Sequence, residues 1–361
     1  GFHKYYMFTG DRAFLLAATN FWNIVKQNHT WVIGGNSTGE HFFSKKEFID
    51  RMLHISGPET CNSVNMLRLT EALFMQQPDA TKAAYYERTL FNHILSAYDP
   101  VKGMCCYFTS MRPGHYRIYA SRDSSFWCCG HTGLESPAKL GKFIYSHKVT
   151  NRHQEKDIRV NLFIPSQVTW KEKGLTLLQE TEFPKEETTR FTIRAEKPVR
   201  TTVYLRYPSW SKKAEVLVNG KKVAVKQKPG SYIAITRDWK DNDRISATYP
   251  MQIELEATPD NPNKVALVYG PLVLAGERGT EGMQAPAPFS NPALYNDYYT
   301  YNFHVPADLR TSLKVDMKHP ERTLQRTGKE LKFTTEQGDV IRPLYDLHHQ
   351  RYVVYWDLQS K

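Results

Sequence analysis

Residues 215–225, EVLVNGKKVAV, carry the clearest structural signal in the chain. Two short runs rich in valine flank the dipeptide Asn219-Gly220, whose residues readily adopt the positive φ angles of a type I′ turn. The pattern predicts a β-hairpin in which residues 215–218 pair with residues 222–225.

The segments on both sides of this hairpin also predict strands. From about residue 158 onward apolar side chains recur with a period of two, as in residues 200–207, where Val203, Leu205 and Tyr207 share one face. Gly, Pro, Asp or Asn turns separate the further predicted strands, which are residues 232–236, 244–249, 265–269, 272–275 and 351–357. This succession of short strands is typical of a β-sandwich.

The first 148 or so residues have the periodicity of helices. In residues 11–26 an apolar stripe of helical spacing contains Phe14, Leu15, Ala18, Phe21, Trp22 and Val25. The capping box Ser44-Lys45-Lys46-Glu47 predicts the start of a second helix, which ends near Leu53. Similar patterns predict further helices over residues 62–74, 80–98 and 133–144.

These patterns predict a multidomain α + β protein with a helical layer ahead of its sheets, and an α-barrel is one such layer. The length of 361 residues exceeds that of one typical hydrophobic core. The predicted division is a helical domain over residues 1–150, a β-sandwich over 151–276, a loop-rich excursion over 277–330, and returning strands over 331–361. The opening sequence Gly1-Phe2-His3 lacks an initiator Met and a signal pattern, so we expect it to be an interior cut.

Composition argues against two classes of partner. No apolar run reaches the roughly 18 residues that a membrane span needs. The net charge of +11 comes from scattered Lys and Arg, which favours a solvated basic surface over a nucleic-acid site.

The five Cys, at positions 61, 105, 106, 128 and 129, include two adjacent pairs and form a poor disulfide framework. Metal binding or thiol chemistry fits them better.

Two stretches could supply metal ligands. Gly57-Pro58 blocks a helix, so the Glu59 carboxylate and the Cys61 thiol are expected to point the same way from an extended segment. Cys128 and Cys129 precede a predicted helix, whose N-terminal partial positive charge favours thiolates. Facing each other, the two stretches would form a Glu-plus-three-Cys set, and Zn²⁺ is the metal that such donors suggest. The alternative is that Cys61, Cys128 and Cys129 are small buried apolar residues.

A third stretch, residues 34–41 (GGNSTGEH), is glycine-rich and ends in a carboxylate. Glycines let the backbone approach a ligand closely, so Glu40 could be a general acid in a cleft. A phosphate-binding loop is excluded because no Gly-Lys-Ser/Thr follows. The alternative is a surface loop with a solvated glutamate.

Taken together, these stretches resemble glycoside hydrolase families 127 and 146, the β-L-arabinofuranosidases. The resemblance rests on Gly34-Gly35 with Gly39-Glu40, on Glu59-Thr60-Cys61-Asn62, and on Phe126-Trp127-Cys128-Cys129. Further matches in the same order are residues 85–88, 133–139, 161–165, 206–210, 259–261 and 348–352.

The resemblance implies a partial (α/α)6 barrel followed by β-sandwich domains. It implies a zinc ion held by Glu59, Cys61, Cys128 and Cys129, with Cys128 as the nucleophile and Glu40 as the acid/base. Tyr107 corresponds loosely to an aromatic residue near the sugar. Family members are roughly twice as long as this chain, so the front of their barrel, with histidines that contact the sugar, has no counterpart here.

The implied activity is retaining hydrolysis that releases β-linked L-arabinofuranose from plant-derived oligosaccharides or polysaccharides. The thioglycosyl intermediate would form on Cys128. The main alternative is a catalytically incomplete carbohydrate-binding or scaffold fragment with a structural zinc. Zinc-water hydrolysis of an ester or amide is less favoured, because His-Glu-x-x-His is absent and thiolate-rich zinc generates hydroxide poorly.

Overall fold

The computed structural model divides the chain into two compact units, one of residues 1–73, 88–138 and 253–361 and the other of residues 74–87 and 139–252. The residues that it describes are 1–42, 52–120, 125, 127–147, 157–283, 305–306, 308–316, 319–328 and 330–360. The predicted helix that begins at the Ser44 capping box therefore lies mostly outside the described residues.

Five α-helices are present in the described part of the chain. They are α1 (Phe2–Thr9), α2 (Arg12–Asn28), α3 (Thr60–Gln76), α4 (Ala80–Thr89) and α5 (Cys128–Lys139). The sequence pattern predicted α2, α3 and α4 but not α1, and it predicted a start for α5 that is five residues too late. After α4 the chain continues as a π-helical turn, Leu90–Ile94, and a 3-10 turn, Leu95–Ala97.

Helix α2 confirms the predicted amphipathic pattern in part. The Asp11 carboxylate accepts a hydrogen bond from the Ala13 N–H and so caps the helix start. Ala18, Trp22 and Val25 are buried, and the Trp22 indole N–H donates to the Thr70 hydroxyl of α3 at 2.7 Å. The prediction was wrong for Phe21, which is 44% exposed because the buried stripe is narrower than the apolar one.

Nineteen strands are present among the described residues. Those of the second unit are β1 (Tyr145–Ser146), β2 (Asp157–Val160), β3 (Ser166–Trp170), β4 (Leu175–Thr181), β5 (Thr188–Ala195), β6 (Val199–Tyr207), β7 (Glu215–Val218), β8 (Lys221–Val223), β9 (Ser231–Trp239) and β10 (Arg244–Thr248). Those of the first unit are β11 (Ile253–Thr258), β12 (Asn261–Tyr269), β13 (Leu272–Glu277), β14 (Ser312–Val315), β15 (Gln325–Arg326), β16 (Phe333–Thr334), β17 (Val340–Pro343), β18 (Tyr352–Val353) and β19 (Tyr355–Ser360).

The second unit contains two sheets, of order β1-β2-β6-β9 and β3-β4-β5-β10-β7-β8. The predicted hairpin and its turn are confirmed: β7 pairs antiparallel with β8, and Asn219 and Gly220 have φ of 51° and 75°. The second strand covers Lys221–Val223 and not the predicted residues 222–225. Along β6 the side chains of Val203, Leu205 and Tyr207 are buried, as their spacing predicted.

The first unit contains a nine-stranded sheet built around the neighbours β12 and β13. The returning strand predicted at residues 351–357 is present as β18 and β19, and β19 pairs with β12. The segment predicted to be loop-rich, residues 277–330, includes β14 and β15, while residues 284–304 lie outside the described part.

Side chains from this sheet pack against the loop that follows α2. Trp31, Val32 and Ile33 join one apolar core with residues of β12, β13 and β19, and the Val32 N–H donates to the Tyr355 hydroxyl at 2.8 Å. This core anchors the loop that leads to Glu40.

The observed fold class is mixed α + β. The few helices in the described part of the chain do not by themselves show an (α/α)6 barrel. None of the helices in the described ranges has both the length and the apolar character needed to cross a bilayer.

The buried imidazole of His93 predicts a pH dependence of stability. His93 lies in the π-helical turn, fully buried, with Nδ1 2.7 Å from the Ser63 hydroxyl. Burial, assisted by the Arg117 charge, lowers the His93 pKa from 6.5 to about 3. The folded state therefore keeps this ring neutral where the unfolded chain binds a proton, so its contribution to stability is complete above pH 6.5 and falls as the pH drops toward 3.

We expect this group to lower the free energy of unfolding by about 1.4 kcal/mol per pH unit in that window. The free energy of unfolding of His93→Gln would be measured in urea at a series of pH values, with EDTA present. Between pH 6 and 4 it should depend less steeply on pH than that of the unsubstituted protein, because unfolding of the variant takes up about one proton fewer. A slope equal to that of the unsubstituted protein would contradict the prediction.

Candidate active site and metal centre

Glu59 and Cys61 come from the start of α3. Glu59 forms an isolated β-bridge with Phe108, and the helix begins at the next residue. The Thr60 N–H donates to the Tyr107 carbonyl at 3.0 Å, and the Thr60 hydroxyl donates to the Cys106 carbonyl at 2.9 Å. The expectation of an extended segment through Cys61 was therefore wrong, because Gly57-Pro58 restrains only the residues next to it and leaves residue 60 free to become helical.

Cys128 and Cys129 are the first two residues of α5, so both lie in the turn where free backbone N–H groups favour thiolates. Pro137 lies inside this helix and has no N–H to donate to the Gly133 carbonyl. The Tyr98 hydroxyl donates to that carbonyl at 2.8 Å instead. The Tyr98 hydroxyl therefore satisfies the carbonyl that the proline leaves without a backbone donor.

The four predicted ligand residues lie together. One donor atom from each of Glu59, Cys61, Cys128 and Cys129 lies within 4.8 Å of all the others. Glu59 Oε1 is 3.5 Å from Cys128 Sγ and 3.6 Å from Cys129 Sγ. Among the described residues this group contains no other ligand, and the nearby His131 of α5 is not part of it.

The donor set fits a zinc ion. Sulfur atoms bound at about 2.3 Å in a tetrahedron lie about 3.8 Å apart. The donor atoms here lie within 4.8 Å of one another, so they would have to approach each other by at most about 1 Å. Three thiolates and one carboxylate leave a formal charge of about −2 on a bound Zn²⁺, which two helix N-termini offset in part. Tyr107, Phe108, Trp127 and Cys129 form an apolar cluster, with Cys61 packed against it, so water is displaced from one side of the group.

The thiols differ in acidity. A hydrogen bond from the Cys129 thiol is the largest of several that lower the pKa of Cys128 to about 5, and the same contact raises the pKa of Cys129. Burial, followed by the nearby Cys128 charge, raises the pKa of Glu59 to about 7. Burial also raises the pKa of Cys105 to about 11 and that of Cys106 still further. These contacts favour the thiolate form of Cys128, with the Cys129 thiol as its hydrogen-bond donor.

Glu40 occupies the tip of a tight turn. Thr38 and His41 exchange both backbone hydrogen bonds, at 2.9 and 3.1 Å, and the two residues between them have φ of 54° at Gly39 and 70° at Glu40. These are the angles of a type I′ turn, in which glycine or asparagine is usual at the second position. Glu40 is a non-glycine residue held in a left-handed conformation and exposed to solvent.

Gly34 and Gly35 were predicted to let the backbone approach a ligand, but in the structure they let it approach other parts of the protein. A Cβ at Gly34, whose φ is 83°, would lie 2.6 Å from the Thr89 Cα, and a Cβ at Gly35 would lie 2.7 Å from the Pro58 Cβ. These glycines let the loop pack against α4 and the Gly57-Pro58 segment, and no ligand is needed to explain them.

Tyr107 connects Glu40 with the thiols. Its hydroxyl donates to Glu40 Oε1 and is 3.8 Å from Cys128 Sγ, and its carbonyl is 3.8 Å from Cys129 Sγ. Burial and the Glu40 contact raise the Tyr107 pKa, so the phenol keeps its proton. The structure thus brings together all six residues singled out in the sequence.

Sequence reasoning missed the contribution of Cys105. Its thiol donates to the Cys129 carbonyl at 3.1 Å, and its sulfur would be 2.8 Å from a Cβ at Gly133. It therefore packs against the first turns of α5, although it matched no ligand position. In the sequence, only the position of Cys105 two residues before Tyr107 indicated that it lies near the site.

Comparison with known proteins identifies the relationship. The model of the β-L-arabinofuranosidase GH127 catalytic domain matches residues 1–142, and that of the GH127 middle domain matches residues 157–251. A domain of unknown function matches residues 254–358. No curated protein sequence matches the chain.

Solved structures with the same fold include two described as arabinofuranosidases. A GH127 β-L-arabinofuranosidase from Geobacillus stearothermophilus T6 is 20% identical with a TM-score of 0.72, covering 100% of this chain and 59% of its own. The GH127 β-arabinofuranosidase BT3674 is 19% identical with a TM-score of 0.76, covering 99% and 58%. A third, titled only as a glycoside hydrolase, is 18% identical with a TM-score of 0.71, covering 99% and 64%.

The chain thus spans about three fifths of the length of these structures. The two GH127 models together match more than half of it, and the catalytic-domain model covers the stretches that hold Glu40, Glu59 and the cysteine pair. The chain belongs to the GH127 family of glycoside hydrolases.

Proposed function

We propose that this chain carries the active site of a retaining glycoside hydrolase, in which Cys128 is the nucleophile and Glu40 is the acid/base. The proposed substrate is a plant-derived oligosaccharide or polysaccharide with β-linked L-arabinofuranose, which is the sugar named in the description of the matching catalytic domain and in the name of the Geobacillus protein. Tyr107 would bind near the sugar.

The observation that carries the proposal is the position of the Tyr107 hydroxyl. It is hydrogen-bonded to Glu40 and lies 3.8 Å from Cys128 Sγ. A hydrogen bond between oxygens spans about 2.5–3.0 Å, so the carboxylate and the sulfur are at most about 7 Å apart. Retaining glycosidases hold their two carboxyl groups about 5–5.5 Å apart, and a larger sulfur allows roughly 5–7 Å.

The proposed reaction has two displacements. The Glu40 carboxylic acid protonates the glycosidic oxygen while the Cys128 thiolate forms a bond to the anomeric carbon, and the aglycone leaves as an alcohol. The Glu40 carboxylate then takes a proton from a water molecule, whose oxygen displaces the sulfur and restores the original anomeric configuration. The Tyr107 phenol, which keeps its proton, can donate to whichever of the two groups is charged.

The residues that would hold a zinc ion are Glu59, Cys61, Cys128 and Cys129. A bound zinc ion would stabilise the sulfur of Cys128 as a leaving thiolate, which is the difficult part of the second displacement. The contact of Glu59 with both Cys128 and Cys129 supports this assignment, since it brings the carboxylate to the same place as two of the thiols.

We also propose that the helical part of the chain contributes to an (α/α)6 barrel, and that the two sheets of the second unit form a β-sandwich. The division at residues 150, 276 and 330 stays a prediction. The alternating burial along β4, β5 and β6 supports a sandwich, because it gives each strand one apolar face.

A carbohydrate-binding or scaffold fragment with a structural zinc is the alternative. A structural site needs its four ligands, but it does not need a carboxylate opposite them on a left-handed turn. The contact between Tyr107 and Glu40 therefore favours the enzyme.

The metal assignment predicts a defined zinc stoichiometry. Elemental analysis of the purified protein should give about one zinc per chain, with metal–sulfur distances of about 2.3 Å by X-ray absorption. Cys61→Ser and Cys129→Ser should each lower the zinc content, because each removes a ligand. Cys106→Ala should not, since Cys106 is fully buried and outside the group. Equal loss in all three variants, or no zinc in the unsubstituted protein, would contradict the assignment.

A further inference from the structure

One polar side chain outside the four ligands touches the group directly. Thr132 lies on α5, one helical turn after Cys128, and its hydroxyl oxygen is 3.0 Å from Cys61 Sγ on α3. The same oxygen is 3.1 Å from the Cys128 carbonyl. Thr132 therefore links the two helices that carry the three thiols.

A threonine hydroxyl has one hydrogen and can donate it to one of these neighbours at a time. While Cys61 is a thiol, it can donate to the Thr132 oxygen, and Thr132 can donate to the Cys128 carbonyl. A metal-bound thiolate has no hydrogen and only accepts. With Cys61 bound to a metal, the 3.0 Å contact is attractive only if the Thr132 hydrogen points at the sulfur.

We propose that Thr132 is a positioning residue for the metal centre, whose hydroxyl donates its hydrogen to the Cys61 thiolate when a metal ion is bound. The hydrogen would leave the Cys128 carbonyl, which still accepts the backbone N–H that an α-helix supplies. The donated hydrogen would spread part of the sulfur's charge and hold Cys61 in the orientation that the other three ligands require.

This inference rests on the zinc assignment of the proposed function and is tested by metal affinity, without a measurement of catalysis. Zinc dissociation constants would be measured by competition with a chromophoric chelator. Thr132→Val keeps the shape of the side chain and removes the hydroxyl, so it should weaken zinc binding by about 10- to 100-fold. Thr132→Ser keeps the hydroxyl and should bind zinc as tightly as the unsubstituted protein.

Glu135→Gln is the control for a general weakening of the contact between α3 and α5. Glu135 forms the ion pair with Arg68 that also joins α5 to α3; the side chains of Arg68 and Glu135 are 43% and 34% exposed, and neither belongs to the ligand group. If Thr132 acts only as a spacer between helices, Glu135→Gln should weaken zinc binding similarly. We expect its affinity to stay unchanged.

A second readout follows the sulfur itself. In the Co²⁺-loaded protein, a thiolate without its hydrogen bond is a better electron donor, so the sulfur-to-cobalt charge-transfer band should move to lower energy in Thr132→Val and not in Thr132→Ser. If Thr132→Val does not fold, Thr132→Ala replaces it in both measurements.

Three results would overturn the inference: unchanged affinity and an unchanged cobalt band without the hydroxyl, an equal loss in Glu135→Gln, or a loss in Thr132→Ser as large as in Thr132→Val. If the unsubstituted protein binds no zinc, both the zinc assignment and this inference fail. If it binds zinc and one of the three results above is found, only this inference fails.

Discussion

Replacement of Cys128 by serine should abolish the release of arabinose from an aryl β-L-arabinofuranoside, with kcat/KM reduced by at least about 10³-fold. The Cys128 pKa is lowered to about 5, so its sulfur is available as an anion at neutral pH, whereas a serine hydroxyl at the same place would keep its proton. Cys106→Ala is the matched control, because it removes a buried thiol from the same sequence region without touching the ligand group. Its kcat/KM should be unchanged.

Glu40→Gln should also reduce kcat/KM, by about 10²- to 10⁴-fold, because one group supplies both the acid and the base. The two variants should differ under rescue. Azide needs no deprotonation, so on an activated substrate it should restore turnover in Glu40→Gln and produce the β-azide, but it should not restore turnover in Cys128→Ser.

Zinc content separates the roles of the sulfur in this experiment. Full activity in Cys128→Ser with zinc still bound would show that Cys128 is only a structural ligand. If Cys128→Ser loses both zinc and activity, its activity has to be compared with that of Cys129→Ser, which removes a ligand but keeps the proposed nucleophile. After both variants are reloaded with zinc, we expect residual activity in Cys129→Ser and none in Cys128→Ser.

Neutralisation of Glu87 should lower the free energy of unfolding by about 3–5 kcal/mol. Glu87 and Arg206 form an ion pair whose side chains are 1% and 0% exposed, in the second unit. Glu87 also accepts from the Trp210 indole N–H at 3.0 Å, and the Arg206 Nε donates to the Asn161 carbonyl at 2.6 Å. Glu87→Gln keeps the shape and leaves the Arg206 charge buried without its counter-ion, which is the costly outcome.

The pair Glu215 and Lys222, on the hairpin of the same unit, provides the control. Its side chains are 53% and 72% exposed, so Glu215→Gln should change the free energy of unfolding by at most about 1 kcal/mol. Urea unfolding of both variants measures the difference. The double variant Glu87→Gln with Arg206→Met should recover part of the loss, because it removes the unpaired charge. Equal losses in Glu87→Gln and Glu215→Gln would contradict the prediction.

Local patterns were sufficient where the physical cause is local. The Asn219-Gly220 turn follows from the two residues that adopt positive φ. The burial of Val203, Leu205 and Tyr207 follows from alternation along β6, which only the ion-paired Arg206 interrupts near the strand's end. Helix periodicity located α2, α3 and α4 and the start of α4 at Ala80, but not the start of α3. The start of α3 at Thr60 depends on the Tyr107 and Cys106 carbonyls, which are 47 and 46 residues away in the chain. No window of neighbouring residues contains that information.

The sequence by itself determined which chemistry is available: three thiols and a carboxylate suited to zinc, a second carboxylate on a glycine-rich loop, and a sheet-rich second half. Residue types and short spacings carry this information, because ligand preference and turn conformation are properties of single residues and their neighbours. Only the tertiary structure decided how the groups meet. It put Cys128 at the first residue of α5, Glu40 at φ 70°, and the Tyr107 hydroxyl between them. Thr132 acquires a partner on another helix in the same way, since contacts between residues 71 positions apart arise only when the chain has folded.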